Sequence, residues 1–137
     1  MRMRCALAFL IVLAAPTAKA DDAVVVKTIL ATAVTAAGQP LVLPQGPVEL
    51  TVSTYDIAPG AQLGVHRHPY PRYAYVTAGT LTVINAESGA ETVYTAGNVI
   101  VEMVGIWHYG ANRGSDPVHL IVIDQDPPGQ PSTVLKP

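Results

Sequence analysis

The sequence predicts an all-β domain, and three observations carry that reading. Val, Ile, Thr and Tyr dominate residues 48–126. Gly and Pro punctuate them roughly every eight to twelve residues, the spacing of turns between short strands. No helical periodicity persists beyond the N-terminal segment. Many short strands at this spacing argue for a sandwich or small barrel rather than for βαβ units.

The first segment stands apart from the fold. Arg2 and Arg4 precede an apolar run, Cys5–Ala15, that is too short to span a bilayer as an ordinary helix. Ala18-Lys19-Ala20 then supplies small residues around a cleavage point, followed by Asp21-Asp22. This pattern reads as a Sec-type signal peptide over residues 1–20 rather than an anchor helix, so a periplasmic or secreted protein is expected. The mature chain, 21–137, is one domain's worth. It keeps no cysteine, because Cys5 leaves with the signal, and so excludes disulfide and thiolate chemistry. It carries five basic residues against ten acidic ones, a net charge of −5 with neutral histidines. No Lys/Arg cluster exists, which argues against nucleic acid or an anionic membrane as a partner once the signal is gone.

The elements follow in order. Residues 31–45, rich in Ala, Thr, Gly and Pro, predict a loop. Val48–Ile57 alternates in the manner of a half-buried strand, and Ala58-Pro59-Gly60 turns out of it. Leu63–His66 predicts a short strand that ends at His68-Pro69, where Pro69 and Pro71 break pairing. Strands are then expected over Arg72–Thr77, Thr80–Asn85, Glu91–Tyr94, Val99–Met103 and Trp107–Ala111, each bounded by Gly-containing turns. Val118–Ile123 is strongly apolar and predicts a central strand. A Pro-rich segment, 126–131, leads to an edge strand at Thr133–Leu135.

Three histidines carry the functional signal. His66 and His68 stand at i and i+2 and share a face of a strand, because side chains alternate with period 2. His108, forty residues after His68, can join them from a neighbouring strand. Three neutral imidazoles with open positions suit a catalytic or ligand-binding metal site. His119, beside apolar residues, predicts a core or interface histidine rather than a ligand. Tyr70, Tyr73, Tyr75, Trp107 and Tyr109 cluster near these positions as packing or as pocket walls. No Ser-His-Asp order, phosphate loop or paired-carboxylate spacing stands out.

At these residues the sequence resembles the cupin superfamily. Gly60, His66, His68 and Gly79 fall in register with its first motif, and Gly97, Gly105, His108 and Asn112 with its second. The match runs over roughly residues 45–126, and the signal-led chain is similar to small exported single-domain cupins. The resemblance implies a double-stranded β-helix, the jelly-roll barrel, with a metal at its mouth and a homodimer built through edge strands. Val24–Val26 and Thr133–Leu135 are candidate edges.

Two positions depart from the motifs. Met103 stands where the second has Pro, a conformational change. Arg72 stands where the first has a Glu that usually ligates the metal, and a guanidinium cannot ligate. Three resolutions are open. His66, His68 and His108 hold the metal alone and Arg72 binds an anionic substrate as a bidentate fork. Alternatively Glu102, out of pattern on an apolar strand face, ligates the metal or pairs with Arg72. Or no metal binds. The expected cofactor is a divalent ion (Fe, Zn, Mn, Ni or Cu), and Arg72 and Glu102 are the candidate catalytic residues. The leading function is a metalloenzyme, dioxygenase-like or Lewis-acid, acting on a small anionic molecule. A non-catalytic module that captures a small ligand or a metal is the alternative.

Overall fold

The computed structural model describes residues 24–137; the signal peptide expected over residues 1–20 lies outside them. Nine strands run in chain order: β1 (Glu49–Ile57), β2 (His66–Arg67), β3 (Arg72–Ala78), β4 (Thr80–Asn85), β5 (Glu91–Thr95), β6 (Val99–Val101), β7 (His108–Ala111), β8 (Val118–Asp126) and β9 (Val134–Leu135). No helix occurs among the described residues. The strands form two antiparallel sheets, one ordered β1-β8-β3-β6 and the other β5-β4-β7-β2-β9. This is the all-β, double-stranded β-helix expectation.

The core lies between the sheets. Ala74 and Val76 of β3, Leu81 and Val83 of β4, Ile100 of β6, and Val118, Leu120 and Val122 of β8 form one buried apolar cluster. Alternation produces it: along β8, Val118, Leu120 and Val122 are buried while His119 and Ile121 are exposed. β8 is central, as expected, and longer than expected, because β1 pairs with it from Ile57↔Val118 to Glu49↔Asp126. β6 is shorter than expected and ends at Val101. The backbone N–H of Glu102 still donates to the Arg72 carbonyl at 2.9 Å, so Glu102 keeps the inward face set by Ile100.

The loop at 31–45 is a clamp. The Gln39 side chain both donates to the Val104 carbonyl, at 2.8 Å, and accepts from the Val104 N–H, at 3.1 Å. Asn112 does the same service elsewhere: its buried amide donates to the carbonyls of Ile57 and Asp116, at 2.9 and 2.8 Å. Val24–Val26, a candidate pairing edge, is exposed and belongs to no strand. His119 departs from expectation in place: it is exposed on the outer face of β8 and bonds Asp56 at 2.5 Å. The cause is register, since Asp56 of β1 stands opposite His119.

Candidate metal centre

β2 and β7 pair at a single position, His66 opposite His108. His68 lies just past β2, held by the Gly105 N–H on its carbonyl at 2.8 Å. The three rings therefore face one another inside the sandwich, with centroids 4.7–5.0 Å apart. One ligand atom from each lies within 4.8 Å of the other two.

The second nitrogen of every ring is tied to the backbone. His66 Nδ1 bonds the Gly64 carbonyl at 2.7 Å, His68 Nδ1 the Ser132 carbonyl at 2.9 Å, and His108 Nδ1 the Ile106 carbonyl at 2.8 Å. A carbonyl only accepts, so each Nδ1 carries the proton and each Nε2 of a neutral ring presents a lone pair. His68 Nε2 and His108 Nε2 are buried with no hydrogen-bond partner. Orphaned polar atoms of this kind are costly and call for an explanation. Carbonyl-anchored Nδ1–H groups behind converging Nε2 atoms are the outer support of a histidine metal site. The donor set thus fits a divalent transition metal.

Electrostatics agree. Burial first, and then charged neighbours, lower His66 and push His68 down to about 3, so both rings are neutral at pH 7. Burial works against the charged form of His108 too, but Glu102 outweighs it and raises that group. Glu102 is held anionic: burial opposes this, and His108, His68 and Arg72 together prevail. Its Oε2 is buried without a hydrogen-bond partner, 3.4 Å from His108 Nε2.

Arg72 is inside, as its motif position requires, but its fork is taken. Nε and Nη2 donate to the two carboxylate oxygens of Asp124, at 2.6 and 3.0 Å, and both residues are buried. Arg72 and Asp124 are register partners on β3 and β8. Asp124 is thus the anion that a buried guanidinium needs. Sequence reasoning misses this residue, although a signal exists: counting by twos from Leu120 puts Asp124 on the inner face. The remaining guanidinium edge meets Ser132 Oγ at 3.3 Å and the Tyr55 hydroxyl at 3.5 Å.

These residues line a small inner chamber of about 20 Å³, walled by the three histidines, Glu102, Arg72 and Leu120. That is room for little more than one water or ion. A wider vestibule of about 170 Å³ opens beside it over Tyr55, Leu63, His66, Arg72 and Thr133. None of the five aromatics singled out in the sequence lines either space; Tyr55 does.

The cupin domain model matches residues 53–124, just over half the chain. The chain belongs to the cupin family. No curated protein matches this cupin closely enough to count as a relative. Among solved structures it is similar to an uncharacterised conserved protein with a double-stranded β-helix domain from Klebsiella pneumoniae, with TM-score 0.55, 22% identity, and 64% of this chain and 75% of that one covered. It is also similar to a recombinant oxalate oxidase in complex with glycolate, with TM-score 0.51, 26% identity, and coverage of 63% and 45%. A third is the oxalate decarboxylase formate complex of Lactobacillus farciminis, with TM-score 0.51, 26% identity, and coverage of 63% and 26%. The cupin thus spans under half the length of either oxalate enzyme.

Proposed function

We propose that this cupin is an exported, metal-dependent protein that acts on a small anionic molecule. One observation carries the reading: three imidazoles converge on one point with every Nδ1–H fixed on a carbonyl. His66, His68 and His108 would hold the ion; Fe, Zn, Ni and Cu suit an imidazole set, and Mn one that also has a carboxylate. A bound divalent ion would supply Lewis-acid or redox chemistry.

The chain's own groups define the rest. Leu63, Leu81, Val83 and Leu120 form the apolar part of the inner chamber's wall, and its small volume limits water there. Ligand enters over the vestibule, where the Tyr55 hydroxyl and the outer edge of the Arg72 guanidinium, held only by long bonds to Tyr55 and Ser132, face it. That edge attracts a carboxylate, but Asp124 offsets its charge, so the fit is to a molecule of a few heavy atoms and a single negative charge. The glycolate and formate complexes of the two oxalate enzymes support this ligand size and chemistry.

A second reading, a non-catalytic module that captures a small ligand or a metal, rests on the shortage of proton-transfer groups. Glu102 is the one carboxyl group among the described residues that lines the chamber, and Asp124 is committed to Arg72.

The test is elemental analysis of the purified protein, alongside a His66→Ala/His108→Ala variant. About one equivalent of metal, lost in the variant, is expected. Metal in neither protein after reconstitution sinks the proposal. Turnover of small carboxylates by the loaded protein then separates enzyme from binding module: turnover selects the first, and thermal stabilisation without turnover the second.

A further inference from the structure

We infer that Glu102 is the fourth ligand of this metal centre, so that the carboxylate donor lost at position 72 is supplied from the strand next to it. The inference rests on the three-histidine reading above and names a residue beyond that set.

His108 and Glu102 face each other across the chamber. His108 Nδ1 donates to the Ile106 carbonyl, so the neutral ring turns a lone pair toward Glu102 Oε2, 3.4 Å away. Both atoms are buried and neither has a hydrogen-bond partner. Two acceptors in such contact repel unless a proton or a metal ion lies between them; no hydrogen bond joins the two atoms, and the ion that the three histidines would hold meets both. Ligand atoms sharing one ion, with bonds of roughly 2.0–2.2 Å, stand roughly 2.8–3.6 Å apart, and the observed separation falls in that range.

The other partners for Glu102 are ruled out by geometry. Arg72 has turned its fork to Asp124, and His108 is the one basic group within ion-pair distance of Glu102 among the described residues. Bulk solvent does not reach its Oε2, which is buried and faces the small inner chamber. The nearby positive groups act on Glu102 only at a distance: no donor reaches its buried Oε2, and a carboxylate oxygen in that state is costly unless a cation meets it directly.

Position explains how the swap works. The Glu102 N–H donates to the Arg72 carbonyl, so the two residues are neighbours on adjoining strands and both face inward. The carboxylate moves one strand over, from β3 to the end of β6. The Gln39 clamp on Val104 then fixes the backbone two residues beyond it. Glu102 stands on the His108 side of the site, outside the tight group of three, so its carboxylate would close inward to reach an ion held by all three histidines.

The experiment titrates Co(II) into the metal-free wild type, Glu102→Gln and His66→Ala/His108→Ala, following heat and the visible absorption of the ion. The wild type is expected to bind one Co(II). Glu102→Gln should bind more than about a hundredfold more weakly, beyond the loss typical of an outer residue, and with a changed visible spectrum. Binding as tight as wild type with an unchanged spectrum overturns the inference and leaves the three-histidine reading intact. No binding by the wild type overturns both. If Glu102→Gln does not fold, a crystal structure of the Co(II)-loaded wild type decides. A Glu102 oxygen within about 2.2 Å of the ion supports the inference, and a carboxylate clear of it overturns it.

Discussion

At the scale of single residues, the buried charges determine what can be changed. Arg72 and Asp124 neutralise each other where both side chains are largely removed from water. Removing one partner strands the other, so Asp124→Ala is expected to cost about 3–5 kcal/mol in urea unfolding. The double variant Arg72→Met/Asp124→Leu, apolar and of similar volume, should recover most of that loss. If Asp124→Ala costs no more than a surface substitution, the pair is not buried as described. Protons act on the same region. Burial first, then Arg72, holds His68 down to about 3, and burial also lowers His66. In the unfolded chain both titrate near pH 6.5. The unfolded state therefore binds more protons between those values, and stability falls as pH drops through the window from about 6.5 toward 3. His108, raised by Glu102 against the effect of burial, works in the opposite sense, but it is one group against two. Metal-free protein should have a lower urea midpoint at about pH 5 than at about pH 7.5, and a higher one would contradict the burial of His66 and His68.

At the scale of elements, turns set the register that brings the site together. Gly79 joins β3 to β4 at φ +77°, where a Cβ would stand 2.4 Å from the Pro117 carbonyl oxygen and 2.9 Å from Val118 Cα. Gly79→Ala is expected to cost about 1–3 kcal/mol for the left-handed backbone, and more for the overlap. A melting temperature within about a degree of wild type would show that this turn does not fix the β3–β4 register. The strands themselves are legible in the sequence: eight of the nine overlap segments predicted from alternation and turn residues, while β2 (His66–Arg67) shares only His66 with the predicted Leu63–His66. Their ends are not. β8 extends to Asp126 because β1 pairs along its whole length, and β6 stops at Val101 where the chain leaves the sheet. Pairing partners lie far apart in sequence, so local pattern cannot fix such ends.

At the scale of the whole molecule, edges and exposed apolar surface raise the question of a partner. β1 is a nine-residue edge of its sheet, with Leu50 and Val52 more than half exposed on it, and β9 is an edge of the other. Long apolar edges are templates for pairing. We propose a homodimer, and light scattering behind size exclusion should give twice the mass of the mature chain. A monomer would confine the exposed apolar residues to another role. The proposed export is tested by mass spectrometry of the mature protein, which should begin near Asp21.

The class of fold, the family resemblance and the three histidines follow from the order of residues alone. They rest on local properties: alternation, turn residues and motif spacing repeat within a few positions. The same local pattern places Arg72 where a ligand is expected and marks Glu102 as out of place on an apolar face. It does not choose between their roles; the assembled sheets do. They set Asp124 opposite Arg72 across β3 and β8, turn the bidentate fork away from Glu102 so that only its outer edge faces the vestibule, and leave Glu102 Oε2 facing His108 without a hydrogen-bond partner. The state of a buried charge depends on which distant strand supplies its counter-charge, and strand pairing is a property of the folded whole.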